Sequence, residues 1–414
     1  MVHSGRQLRI ALGAFGDPGH TFPMIALGRA LVERGHQVTL QTWTRWQAHV
    51  ESEGMSFAPA PEYQAFPTGP EPLDFYEAVI YATRDTLPLM REVAPDVVVS
   101  DILTLAPALA AELEGIPLAT LVPHVNPQSA PGFPVYSMGA RLPRTGLGRA
   151  MWACAHRPVR WGLEQGRRDL NRTREKLGLA ATDRLHGGNS TELVLVATFP
   201  QLEYPRKWPA HTHIVGPLMW EPAAEAVQLP PGDAPLVLVA PSTAQDPEHS
   251  LLHAALRGLS RAPVRVLATW NRRLPSSPLP VPENARLVEW VSYSQTMPQC
   301  DVVVTHAGHG TLVRALASGC AVVACPAAGD MNENAARVDW AGAGVRLPRR
   351  FISPRPLRAA VERTLSDAAV GARAADLADW ARTHDAGAVA AMLIERLANR
   401  TGRDTDRVAS ATTY

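Results

Sequence analysis

Cysteine is scarce in this chain of 414 residues. Its four cysteines, Cys154, Cys300, Cys320 and Cys325, have no disulfide-scaffold or zinc spacing. Their scarcity fits a reducing compartment, so a cytoplasmic setting is expected. Long apolar runs are also missing. No stretch of eighteen apolar residues occurs, which argues against a helical membrane span. The opening MVHSGRQLR lacks the apolar region and cleavage site of a signal peptide. Nor is there an excess of charge: 40 Lys+Arg against 39 Asp+Glu leaves +1, so no basic surface argues for nucleic acid. Proline (37) and glycine (30) are plentiful, as suits many loops capping strands. The length allows two core-bearing domains.

Short apolar runs alternate with helical periodicity. Val302–Thr305 reads as a buried strand, His306–Gly310 as a loop, Thr311–Ser318 as a helix stopped by Gly319, and Ala321–Cys325 as the next strand. A helix start facing a glycine loop favours an anion, usually phosphate. The N-terminus repeats the plan: strand Leu8–Leu12, loop Gly13–His20, helix Phe22–Arg34, strand Gln37–Thr42. Val97–Ser100 is a strand ending at Asp101, and Leu118–Val122 and Glu192–Ala197 follow. A second series runs Leu236–Ala240, Val264–Ala268 and Arg286–Glu289 before the stretch already described. The pattern predicts an α/β protein of two doubly wound domains facing across a cleft, with ligands outside the strands' carboxyl ends.

The expected division is 1–215 for the first domain, 216–234 for a proline-rich linker and 235–384 for the second domain. A final helix over 385–400, which has the option of returning to the first domain, and a frayed tail over 401–414 complete it. Pro123–Gly148 loses all period and suits a binding loop. The basic run Arg157–Arg174, with Trp161, reads as a solvated helix face rather than a nucleic-acid patch.

His20, after a strand and just before a helix start, is the candidate base, because that position disfavours the imidazolium. Asp101, ending another strand of the same sheet, is placed to hold the ring N–H. The plainer alternative is a helix-capping His20 and a turn at Asp101. Similarly, the second loop either binds a diphosphate with help from His306 or only turns the chain. His306 and His309 with Cys320 and Cys325 match no structural zinc pattern, so no metal is expected. Phe15, Phe66, Tyr76, Tyr81, Phe133, Tyr136 and Met138 are candidates for an apolar pocket wall.

The stretch LGAFGDPGHTFPMIALGRALVERGHQV resembles the opening of the family 1 glycosyltransferases, nucleotide-sugar-dependent enzymes with two Rossmann-like domains (the GT-B fold). WVSYSQTMPQCDVVVTHAGHGTLVRALASGCAVVACPAAGDMNENAARVDWAGAGVRL resembles their donor-binding signature. Within the family the chain is most similar to bacterial enzymes that glycosylate natural products. The resemblance implies His20 as the base on the acceptor hydroxyl and Asp101 as its orienting acid. It implies diphosphate contacts from His306 and the N–H groups around Gly308, Gly310 and Thr311. Trp290 would stack on the base, Asp330 would bind sugar hydroxyls, and Ser242 and Thr243 would touch phosphate. The implied reaction is a metal-independent, inverting displacement from a TDP- or UDP-sugar, with no cofactor. The expected partners are that donor and an apolar small molecule, and the expected state is a monomer or homodimer. Met331 replaces a usual Gln and cannot donate to a sugar hydroxyl, which suggests a deoxysugar donor unless Met331 only packs or Asn332 takes over. Pro241 replaces the usual Gly before Ser242, and Ser292-Tyr293 replaces Pro-Gln. A nucleotide-sugar 2-epimerase and a non-catalytic relative that binds a partner are the alternatives.

Overall fold

A computed structural model describes residues 6–61, 73–128, 130–242, 246, 248–272, 275 and 278–411, with side chains described through 400. Among them the strands form two sheets. The first contains β1 (Arg9–Gly13), β2 (Gln37–Thr42), β3 (Ser56–Pro59), β4 (Val97–Asp101), β5 (Leu118–Val122), β6 (Leu193–Val196) and β7 (Thr212–Ile214). The second contains β8 (Leu236–Ala240), β9 (Arg265–Thr269), β10 (Ala285–Val288), β11 (Val302–Thr305), β12 (Ala321–Ala324) and β13 (Gly344–Arg346). Their orders are 3-2-1-4-5-6-7 and 10-9-8-11-12-13, and every pairing is parallel. Strands such as Leu236–Ala240 are buried at every position, which is why their sequences are continuous apolar runs rather than alternations.

Each order reverses once, between β1 and β4 and between β8 and β11. Such switch points open a crevice at the strands' carboxyl ends. The first sheet is covered by α1 (Pro18–Glu33), α2 (Gln47–Ser52), α3 (Phe75–Val93), α4 (Leu105–Leu113) and α5 (Gly146–Lys176). The second carries α6 (Ser250–Leu259), α7 (Tyr293–Thr296), α8 (His309–Ala317), α9 (Asp330–Ala341), α10 (Pro354–Ser366) and α11 (Ala368–Thr383). The last helix, α12 (Ala386–Ala411), crosses back: Ala386, Ala390, Ala391, Ile394 and Leu397 belong to the first sheet's core. Small residues allow the close approach, and a Cβ on Gly387 would lie 2.9 Å from that of Ala30. Arg34 and His36 clamp Glu395 at 2.7 and 2.9 Å.

Several expected boundaries move. Helix α12 continues to Ala411, through residues that the sequence predicts as a frayed tail. Helix α1 begins at Pro18, four residues before the predicted start, because Asp17 is the N-cap and a proline's fixed φ suits a first helical position. His20 therefore sits within the first turn rather than ahead of it. Helix α8 begins at His309 rather than Thr311, with Gly308 as N-cap.

Candidate functional site

At the first switch point, Gly13 pairs with Ser100, so the ends of β1 and β4 lie side by side. The chain leaving β1 passes under Trp43, and a Cβ on Gly16 would lie 2.0 Å from the indole Cδ2; only glycine fits. His20 then turns back over Asp101. Its Nδ1 lies 2.9 Å from Asp101 Oδ1, and the acid's side chain is fully buried. The other oxygen, Oδ2, accepts from the Phe15 N–H at 3.2 Å. A carboxylate can only accept, so Nδ1 carries the hydrogen and Nε2 is left basic. Burial works against the imidazolium. The hydrogen bond and charge of Asp101, with the fields of Asp17 and Asp330, outweigh it and raise the His20 pKa above 6.5. The expectation that the helix start keeps this ring neutral is thus corrected: the aspartate, not the helix terminus, sets the direction.

A second imidazole faces the first. His124 lies just beyond β5, its ring 6.1 Å from that of His20 and nearly perpendicular. Its Nδ1 lies 2.8 Å from the Val125 carbonyl, and burial followed by the His20 charge lowers its pKa. Tyr136 tilts against it at 6.3 Å. The Tyr136 hydroxyl is buried, has no hydrogen-bond partner among the described residues, and is raised by burial and by Asp330. Phe15 completes this wall, 6.0 Å from His20 edge-on. Sequence reasoning missed His124. It falls in the aperiodic stretch after Pro123, and its one signal is its place beyond the strand that neighbours β4.

At the second switch point Ala240 pairs with Thr305. His306, the next residue, puts Nδ1 3.3 Å from the Ala240 carbonyl. That acceptor turns Nε2 outward over Gly308, where a Cβ would lie 2.4 Å from Nε2. Ala307 adopts φ +64°, a strained value for a non-glycine residue, and the Asn334 amide donates to its carbonyl at 3.0 Å. Burial lowers the His306 pKa, so the free ring is neutral. Gly310 has open space where a side chain would be. His309 turns inward instead: Nε2 lies 3.3 Å from the Ala197 carbonyl beyond β6, and burial pushes its pKa down to about 3.

Trp290 lies beyond β10, stacked 6.2 Å from Tyr293, with the Arg272 guanidinium 4.8 Å over its ring. The Tyr293 hydroxyl bonds Asn271 and Thr311, and burial pushes its pKa up to about 12. Asn271 also donates to the Pro241 carbonyl at 2.6 Å. Pro241 thus serves as an acceptor that ties the loop after β9 to the loop after β8. Ser242 is buried, while Thr243 lies outside the described residues.

Asp330 opens α9, and its field reaches His20, His124, Tyr136 and His306. It therefore lies between the two loops. Met331 packs against the second sheet's core. Nearly two helical turns on, Arg337 donates to Glu203 at 3.0 Å, to the Leu202 carbonyl at 2.9 Å and to Glu333 at 2.8 Å. Glu203 accepts in turn from the Asn126 N–H at 2.6 Å. This buried network ties the loop bearing His124 and Tyr136 to α9. Its cost is the desolvation of five charged or polar groups, and removing one partner strands the others.

The remaining wall candidates divide. Phe133 stacks on Tyr204 at 6.1 Å, beside Tyr136. Tyr76 is used in the α3–α5 contact, donating to the Gly166 carbonyl at 3.3 Å. Tyr81 and Met138 are exposed, and Phe66 lies outside the described residues. Among the described residues no group of three or more His, Cys, Asp or Glu is placed to hold a metal. The thiols of Cys320 and Cys325 are buried, and burial raises both. No helix among the described residues is long and apolar enough to cross a membrane.

Residues 256–395 match the model of the erythromycin biosynthesis protein CIII-like C-terminal domain. The 4'-demethylrebeccamycin synthase of Lentzea aerocolonigenes is 29% identical over 94% of this chain and 99% of its own. The crystal structure of the glycosyltransferase of kitacinnamycin superposes with a TM-score of 0.75 at 25% identity, covering 95% of this chain and all of that one. The glycosyltransferase VinC, solved in complex with dTDP, superposes with a TM-score of 0.70 at 19% identity over 95% of this chain and all of its own. With its two Rossmann-like sheets, each with one switch point, the chain has the GT-B fold and is a glycosyltransferase, similar to bacterial natural-product enzymes of that fold.

Proposed function

We propose that this enzyme moves a sugar from a TDP- or UDP-sugar to a hydroxyl of an apolar natural product, by inversion and without a metal. The observation that carries this is the His20–Asp101 contact of 2.9 Å, set in the same field of Asp330 that reaches His306. A base and an anion-binding helix start thus lie on either side of one acid. His20 Nε2 takes the acceptor proton as the oxygen attacks the anomeric carbon, and Asp101 stabilises the imidazolium that results. The bond to the diphosphate breaks on the far side. Its growing negative charge meets the N–H groups of the α8 start and His306. Trp290 receives the base, Asp330 holds sugar hydroxyls, and Met331 favours a donor lacking one. The relative solved with dTDP supports the thymidine donor of the two. Free thiols, one of them exposed at Cys154, suit a cytoplasmic setting. An epimerase would have no use for a base beside the aromatic wall of Phe15 and Tyr136.

The test is thermal stability with dTDP, with UDP and with neither, beside a His306→Ala control. A nucleotide at about 100 times its dissociation constant adds roughly 2.7 kcal/mol. A shift in the wild type that is lost in the control is expected. No shift with either nucleotide would leave the α8 loop structural and sink the donor assignment.

A further inference from the structure

Helix α5 has two unlike halves. Only His156, Leu170, Thr173 and Arg174 are buried along its 31 residues. On the first half Leu147, Met151 and Trp161 are 75%, 66% and 75% exposed, and Cys154 is exposed with them. Spacings of four, three and seven residues put these on one line of the helix, about 21 Å long. Residues 140–163 hold Arg141, Arg144, Arg149, Arg157 and Arg160 and no Asp or Glu, although the whole chain is nearly neutral. The second half neutralises itself, pairing Arg167 and Arg168 with Glu164 and Arg172 with Asp169.

We propose that the first half of α5 docks on an anionic bilayer surface. Apolar side chains on one line, Arg157 on its flank with Arg160 further round, and a tryptophan at the line's end are the composition of a helix lying in the headgroup layer. Guanidinium groups take lipid phosphates in bidentate fashion, while the indole is apolar with one polar edge. A protein partner would be held in register by charges of both signs, and this stretch offers one sign only, with Arg141 turned to Asp339 at 3.5 Å and the other arginines in no ion pair among the described residues. The helix also abuts the cleft: His156 Nε2 lies 2.9 Å from the Phe133 carbonyl, in the loop that carries Tyr136. If the acceptor is apolar, as proposed above, docking would set the cleft mouth where such a molecule partitions. The docking itself does not depend on that reading.

Cys154 provides the probe, because the other three cysteines are buried. The full chain, labelled there with bimane, is mixed with vesicles of phosphatidylcholine alone or with phosphatidylglycerol added. Emission should shift to the blue, and the unlabelled protein should co-sediment, only with the anionic vesicles. Replacing Arg157 and Arg160 by Gln should weaken partition about 30-fold at low salt, and Trp161→Ala should weaken it too. Unchanged dTDP-induced stabilisation would show that these exposed substitutions leave the fold intact. Equal partition to neutral vesicles, none to anionic ones, or no effect of the substitutions would overturn the proposal. A concentration-dependent blue shift without vesicles, with a dimer in sedimentation velocity, would overturn it in favour of self-association.

Discussion

Replacing Asp101 by Asn keeps the shape of the His20 contact and removes its charge. Two unit charges about 4 Å apart interact by about 4 kcal/mol at an effective dielectric of 20. In the wild type this attraction, with the hydrogen bond, overcomes burial and raises the His20 pKa. In the variant burial is opposed only by the fields of Asp17 and Asp330, and the pKa should fall below that of the wild type. The working form is the neutral ring, so wild-type kcat/KM should drop as pH falls through the raised pKa. The acid limb of Asp101→Asn should lie at lower pH, while its plateau is about 10²–10⁴ lower, because the imidazolium formed during attack loses its counter-charge. The assay is dTDP release from a dTDP-sugar with 4-methylumbelliferone as acceptor, from pH 5 to 9. The raised pKa also predicts that this pair adds stability that is full below the unfolded value near 6.5 and lost as pH rises through the folded one. An acid limb that does not move, or a plateau within threefold of wild type, would refute the assigned roles.

His306 should take up a proton when nucleotide binds. Its Nδ1 faces the Ala240 carbonyl and burial keeps the free ring neutral, so Nε2 gains a hydrogen to donate only by protonation. Calorimetry of dTDP binding at pH 7 in buffers of different ionisation heat should show uptake that His306→Gln abolishes, and affinity should weaken as pH rises. Met331→Gln should restore a donor to the sugar site and move preference toward a hexose over its deoxy analogue; an unchanged ratio of kcat/KM would mean that Met331 only packs.

Both switch-point loops are legible in the sequence because each lies between a short apolar run and a helical period. The His20–Asp101 pairing is legible as well, since His20 follows the loop after one strand and Asp101 ends another. What sequence does not carry is lateral order. His124 is 104 positions from His20 and meets it only because β5 lies next to β4, a pairing that no local pattern encodes. His309 looks equivalent to His306, yet one turns to the interior because Gly308 ends the loop and helical geometry begins between them. Helix α1 starts earlier than its apolar period predicts because Asp17 is the cap and makes Pro18 its first residue.

The return of α12 has a consequence for how the protein is made. The first sheet finishes at Ile214, yet part of its core, including Ile394 and Leu397, is encoded almost two hundred residues later. Each such side chain contributes about 1.5–3 kcal/mol on burial. On a ribosome building from the N-terminus, that half of the molecule waits with an apolar flank open until the second half has been synthesised. Its completion waits for residues 386–398, so a chain cut short before them would be released with its first-made part unfinished.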